Sequence, residues 1–149
     1  MPAPAQGVLA VECRTDDAGT AAQLRALDHA PTRVAAITER GFLAALDAGC
    51  CAPVGALAEL VTGAGAAGAE GPEGVEGSEG AEGSEGAEGA EPAVRVSGVI
   101  AAPDGSSVIR AQTTGPARDG DALGRGLAHA LLEHGGAGLL DRALRAVTS

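Results

Sequence analysis

Two adjacent cysteines, Cys50 and Cys51, are candidates for a chemical role, because each carries a thiol that can act as a nucleophile. They lie in residues 48–55, AGCCAPVG, where a thiol beside glycine and proline in a turn is exposed enough to react. A helix that ends here does not lower a thiol's pKa, because its C-terminus carries a partial negative charge. On the residues alone, small half-buried side chains are the favoured interpretation. A reactive thiol and a strained vicinal disulfide are the alternatives.

The third cysteine and the three histidines give weaker indications of a chemical or metal-binding role. Cys13 lies within a predicted strand, where packing in the core is the expected role. The histidines (His29, His129 and His134) do not fall at ligand spacing with any cysteine. The last two are five residues apart, not the four that align side chains on a helix, so we expect no metal site. Three cysteines without a disulfide framework favour a reducing cytoplasm.

Most of the net charge of −10 belongs to one low-complexity insert, residues 63–92. It contains eight glutamates and no basic residue, and removing them leaves −2 for the rest of the chain. Glycine recurs at every third position in residues 71–91, as in collagen, but this stretch has one proline and glutamates that no cation offsets. We expect a disordered, self-repelling loop. No apolar run approaches the roughly 18 residues of a membrane helix, and we expect neither a membrane nor a nucleic-acid partner.

Apolar periodicity and turn residues predict an α+β fold: a small three-stranded antiparallel sheet covered on one face by helices, with the disordered Glu-Gly loop inserted between strands. Predicted strands are residues 7–14, 54–61, 93–102 and 107–113, the last two joined at Pro103-Asp104-Gly105. Four helices are predicted. The first runs from Asp16 or Asp17 to about His29, and the second from Pro31 or Thr32 to a stop at Gly49. The third runs from Asp119 or Asp121 to Gly135-Gly136, and the fourth has an apolar stripe of Leu139, Leu140, Ala143, Leu144 and Val147.

Residues 39–59, ERGFLAALDAGCCAPVGALAE, resemble the signature of the porphobilinogen deaminases, also called hydroxymethylbilane synthases. That signature has Glu-Arg, a helix, and then Gly-Cys-x-x-Pro-x-Gly. The flanking segments also resemble the family. Residues 2–14 are similar to its strand returning from the second domain, and residues 96–115 to its domain-three hairpin. Residues 122–140 are similar to its closing helix. The resemblance covers nearly everything outside the insert and implies the C-terminal part of the enzyme.

The resemblance implies that Cys50 carries a dipyrromethane cofactor through a thioether. Cys51 occupies a position that is not cysteine in the general pattern. The family joins four porphobilinogens head to tail with loss of ammonia and releases hydroxymethylbilane, in the tetrapyrrole pathway to heme. Gln6 and Arg14 lie near the implied interdomain hinge, from which they could approach the cofactor. Ala5 departs from the family, which usually has glycine before Gln-Gly.

The resemblance also implies a division of the chain. Residues 1–15 correspond to the hinge from a preceding domain, residues 16–62 and 93–149 to the cofactor-bearing domain, and residues 63–92 to the insert. The family's catalytic Asp and carboxylate-binding Arg set have no counterpart here, so we expect no catalytic residue in this chain and no turnover by the chain alone. A separate N-terminal chain is a partner that this implies. The alternative is a non-catalytic α+β domain, acting as a binding module or arising as a truncated gene product.

Overall fold

The computed structural model describes residues 1–47, 52–61 and 91–147, with side chains in the last helix as far as residue 145. Four helices and three strands make up this part of the chain. The helices are α1 (Ala18–Leu24), α2 (Ala30–Leu46), α3 (Gly120–Leu131) and α4 (Ala137–Val147); the strands are β1 (Val54–Val61), β2 (Ala93–Ala101) and β3 (Val108–Pro116). Short 3₁₀ turns follow α1 and precede α3.

The three strands form one antiparallel sheet in the order β1-β2-β3, which confirms the predicted α+β fold. Val54 pairs with Ile100 at one end of the β1–β2 ladder, and Val61 pairs with Ala93 at the other. The insert therefore joins two neighbouring antiparallel strands, as predicted. Residues 62–90 lie outside the described residues. Pro92, at the end of the insert, already belongs to the fold, because its carbonyl accepts a hydrogen bond of 2.9 Å from the backbone N–H of Ala117.

The β2–β3 connection is the predicted turn. Gly105 has a φ of +74°, which glycine adopts without a steric penalty. The backbone N–H of Ala102 donates to the Ser107 carbonyl at 2.7 Å. The Asp104 carboxylate accepts from the hydroxyl and the backbone N–H of Ser106, and these bonds lower the pKa of Asp104 below its ordinary value. The turn thus supplies its own hydrogen bonds at the tip of the hairpin.

Helices cover one face of the sheet, where alternate residues of β2 form the centre of the core. Val94, Val96 and Ile100 are fully buried. Phe42 of α2 and Leu131 of α3 pack against them. Each buried aliphatic or aromatic side chain of this size contributes about 1.5–3 kcal/mol. The core is therefore held by α2 and α3 on the central strand, and α4 closes it with Leu139 and Leu140.

The helix termini agree with the predictions in part. Asp17 caps α1 by accepting from the Thr20 N–H, but α1 ends at Leu24, short of His29. Asp119 lies at the N-terminus of α3, but its side chain makes no capping hydrogen bond. Helix α2 ends at Leu46, before the predicted stop at Gly49, which lies outside the described residues, and Asp47 takes a left-handed conformation. Asp47 can do so because Asp tolerates this conformation better than most residues. Gly135, with a φ of +103°, separates α3 from α4 as predicted.

Two predictions for the N-terminal region are wrong. Residues 7–14 form no strand, because no strand in the described part of the chain pairs with them, and they are exposed throughout. Alternating apolar residues make a strand only where a neighbouring strand takes up their backbone hydrogen bonds. Cys13 consequently lies on the surface as a free thiol and not in the core. Among the described helices, none has the length and apolar character needed to cross a membrane.

Helices α2 and α3 approach each other closely at Gly124. A Cβ atom there would overlap the carbonyl oxygen of Thr38 and lie 2.8 Å from the backbone nitrogen of Phe42. Both obstacles are backbone atoms, which cannot turn aside as a flexible side chain can. The packing of α2 on α3 therefore requires glycine at this position.

We expect the substitution Gly124→Ala to lower the free energy of unfolding by about 1–3 kcal/mol, because the two helices must move apart. Gly126→Ala in the same helix is the matched control, since a Cβ there meets nothing within 4 Å. It should raise stability by about 1 kcal/mol through helix propensity. Urea unfolding measures both, and equal effects of the two substitutions would contradict the close approach.

Candidate functional site

Cys50, the predicted attachment residue, lies in residues 48–51, outside the described residues, together with Cys51. The structure does describe both flanks of this segment. Asp47 ends α2 on one side, and Ala52 and Pro53 lead into β1 on the other. The segment thus connects a helix to an edge strand of the sheet that this helix covers.

Both flanks of the segment are fixed to the core. Leu46 is only 6% exposed and belongs to the central hydrophobic cluster, against which Ala52 also packs. The carbonyl of Pro53 accepts a hydrogen bond of 3.0 Å from the backbone N–H of Ala101 at the end of β2. The backbone around the four residues 48–51 is therefore anchored on each side.

The first seven residues, here called the N-terminal strap (residues 1–7), lie along the outer edge of β1. The backbone N–H of Ala56 donates to the carbonyl of Pro2 at 3.1 Å. A Cβ atom on Gly55 would lie 2.8 Å from that same carbonyl oxygen and 3.0 Å from the Cγ1 of Val99. Gly55 is the last residue of the Gly-Cys-x-x-Pro-x-Gly pattern, so this glycine leaves room for the strap.

Glu39 joins the N-terminal strap to β1 from within helix α2. Its side chain is buried, with 6% exposed. One carboxylate oxygen accepts from the backbone N–H of Ala5 at 2.6 Å, and the other accepts from the backbone N–H of Ala58 at 2.7 Å. The carboxylate thus takes up two amides from segments far apart in the sequence.

The role of Glu39 was not predicted from the sequence beyond its place in the Glu-Arg pair. Spacing offers one indication, since Glu39 lies three residues before Phe42 and seven before Leu46 and so shares their buried face. A carboxylate on such a face must find donors, because burying it without them is costly. Periodicity indicates the burial, but it does not show which amides provide the bonds.

The strap also contains the departure from the family pattern. Ala5 has a φ of +60°, a left-handed conformation that costs an ordinary residue about 1–2 kcal/mol. Gln6 closes the same turn, because its side chain accepts from the Ala3 N–H at 3.1 Å and its own N–H donates to the Ala3 carbonyl at 3.0 Å. Gln6 is thus engaged within the strap, whereas Arg14 lies exposed and its carbonyl accepts from the Asp17 N–H.

We expect Ala5→Gly to stabilise the chain by about 0.5–1 kcal/mol, because relief of the left-handed strain outweighs the greater chain entropy of glycine when unfolded. Ala3→Gly is the matched control. Ala3 is not among the residues with positive φ, so that substitution should cost about 0.4–1 kcal/mol. Thermal unfolding of the two variants tests the conformation of the strap, and stabilisation by both substitutions or by neither would contradict it.

Within the described residues, five of the ten arginines form ion pairs with carboxylates. The pairs are Arg33–Asp28, Arg95–Glu59, Arg118–Glu91, Arg118–Asp119, Arg125–Asp121 and Arg145–Asp141. The hydrogen bond that Arg125 donates to the Asp121 carboxylate raises the pKa of Arg125, and both side chains remain about half exposed. Exposed pairs of this kind contribute at most about 1 kcal/mol each. Two of these pairs lie within one helix, Arg125–Asp121 in α3 and Arg145–Asp141 in α4, and Arg95–Glu59 joins β2 to β1.

An apolar groove of about 380 Å³ separates residues 8–11 from α1 and α2. Leu9, Val11 and Leu27 at this groove are 94%, 62% and 72% exposed. His29 and Arg40 also line it. Large apolar side chains exposed together on one surface are typical of an interaction site.

Known proteins similar to this chain are porphobilinogen deaminases. That of Nocardia farcinica is 44% identical over 140 residues, which are 94% of this chain and 35% of that protein. Porphobilinogen deaminase 1 of Streptomyces avermitilis is 41% identical over 144 residues, 94% of this chain and 37% of that protein. The Desulforudis audaxviator protein is 37% identical over 142 residues.

These relatives confirm the resemblance predicted from residues 39–59. The chain spans little more than a third of the length of the curated relatives that it matches. No protein-family model matches it. The similarity extends over nearly the whole chain, so it includes helix α2 and the cysteine-bearing segment.

Proposed function

We propose that this chain, a homologue of the porphobilinogen deaminases over the length that it spans, supplies the cofactor-attachment part of such an enzyme. The observation that carries the proposal is the 44% identity over 94% of the chain. The anchored flanks of residues 48–51 support it, because a covalent attachment point needs a fixed backbone on both sides. In this proposal the chain corresponds to the C-terminal, cofactor-bearing domain and the hinge before it.

In this proposal Cys50 is the attachment residue and dipyrromethane is the cofactor. The Cys50 sulfur would add to the electron-poor carbon of an azafulvene, which forms from porphobilinogen by loss of ammonia, and the thiol proton would pass to the azafulvene nitrogen. The resulting thioether would resist water, as a permanent anchor must. When bound, the cofactor supplies the primer to which pyrrole units are added. One described contact supports this role: Gly55, at the end of the motif, lets the strap pass close to the first residues of β1, which follow the cysteine-bearing segment in the chain.

The full reaction, in this proposal, joins four porphobilinogens into hydroxymethylbilane with the loss of ammonia. It needs polypeptide beyond the third of the relatives' length that matches this chain. The groove beside Leu9 and Leu27 supports a docking role for that polypeptide, since exposed apolar groups favour burial on association. We place the protein in the cytoplasm because its three cysteines lack a disulfide framework.

The attachment can be measured by intact mass. We expect the chain, co-expressed with the unmatched portion of the Nocardia farcinica relative in cells that make porphobilinogen, to gain the mass of one dipyrromethane. Cys50→Ser should abolish the gain, and Cys51→Ser, the matched control, should leave it unchanged. A gain that depends on Cys51, or an unmodified wild-type chain, would contradict the proposal.

Ammonia release from porphobilinogen tests the need for further polypeptide. We expect none from the purified 149-residue chain and measurable release when the unmatched portion of the relative is present. Leu9→Asp should reduce that release at least tenfold at limiting partner concentration, because it places a charge in the groove. Val108→Asp, at an exposed position on β3 away from the groove, is the control and should have little effect. Release by the chain alone would show the proposal to be wrong on this point.

The apolar groove also favours the second candidate function, a non-catalytic binding module. The two candidates differ in a measurable way. A binding module would associate with the unmatched portion of the relative, or with another partner, without carrying a pyrrole on Cys50 or restoring ammonia release.

A further inference from the structure

We infer that Glu39 is a positioning residue for the attachment segment. Its carboxylate holds the N-terminal strap and the middle of β1 in a fixed place relative to α2. The inference rests on the proposed function, because its importance for attachment depends on Cys50 carrying the cofactor. Its structural part stands on the described residues alone.

Glu39 can influence the attachment segment, residues 48–51, through the two elements that flank it. Residues 47–53 connect α2 directly to β1. Glu39 lies in α2 about two turns before the helix ends, and Ala58 lies four residues after β1 begins. The hydrogen bond from Ala58 to Glu39 therefore closes the base of the connection and fixes the separation of its two ends.

The N-terminal strap is held at two points of the same strand edge. The N–H groups of Ala56 and Ala58 are two residues apart in β1, so both point to its outer edge. Pro2 accepts the first with its carbonyl, and Glu39 accepts the second while its other oxygen accepts from Ala5. A shift of the strap by one residue would break the bonds at Pro2 and Ala5 together. Glu39 thus fixes the register of the strap beside Gly55.

A carboxylate is the group that this position requires. Both partners of Glu39 are N–H donors, so the side chain must present two acceptor oxygens. Glutamine presents one oxygen and one NH₂ group, and its NH₂ group would face a donor with no acceptor between them. Glu39→Gln keeps the shape of the side chain and removes one of its two bonds, which makes it the informative substitution.

Amide hydrogen exchange followed by NMR in the full 149-residue chain tests the structural part. Glu39→Gln should raise the exchange rates of Ala5, Ala56 and Ala58 at least tenfold, while the amides of the β2–β3 ladder keep their wild-type rates. Glu59→Gln is the matched control, because it removes the same charge from an exposed side chain of β1 that is only loosely paired with Arg95, at 3.8 Å. Unchanged rates at Ala5 and Ala58, or an equal increase across the whole sheet, would overturn the inference.

Intact mass of the same variants after co-expression with the unmatched portion of the Nocardia farcinica relative tests the link to attachment. We expect the fraction of chains carrying dipyrromethane to fall at least fivefold in Glu39→Gln and to stay at the wild-type level in Glu59→Gln. Full loading of Glu39→Gln despite faster exchange would overturn the positioning role. A wild-type chain that carries no cofactor would overturn the proposed function instead, and the exchange rates would still decide whether Glu39 holds the strap.

Discussion

Burying a carboxylate costs several kcal/mol unless hydrogen-bond donors replace the water that it loses. Glu39 meets this requirement with two backbone amides, from Ala5 and Ala58, at 2.6 and 2.7 Å. Because these donors belong to the N-terminal strap and to β1, the burial of Glu39 depends on both segments being in place. The bonds that Ala56 donates to Pro2 and Ala58 donates to Glu39 occupy two amides on the outer edge of β1, which would otherwise invite association with other strands. One buried charge thus determines how three parts of the chain meet.

Helix α2 connects this interaction to the rest of the fold. Its Phe42 and Leu46 enter the core, and its backbone at Thr38 lies against Gly124 of α3. The helix then leads directly into the segment that carries Cys50. Residues 48–51 are therefore flanked by two elements, α2 and β1, that the core, the strap and Glu39 hold together. This arrangement suits a residue whose proposed role is to anchor a group and not to perform acid–base chemistry.

Sequence patterns predicted those parts of the fold that local rules determine. Strand β1 was predicted with its observed bounds, and the Pro103-Asp104-Gly105 turn follows from the φ values that proline and glycine allow. Residues 7–14 were predicted wrongly because a strand also needs a partner strand, which periodicity cannot show. The roles of Glu39 and Gly55 depend on contacts with the strap, which has no periodic pattern. The resemblance identified Cys50 as the candidate site, and its attachment remains a prediction.

The hydrogen bonds of Glu39 can be observed directly, without substitution, as scalar couplings across hydrogen bonds by NMR. In the ¹⁵N,¹³C-labelled chain, we expect the amide nitrogens of Ala5 and Ala58 each to show a coupling to the carboxylate carbon of Glu39. Two such couplings would establish that one buried carboxylate joins the strap, α2 and β1. Coupling to only one of the two amides, or to neither, would contradict this account.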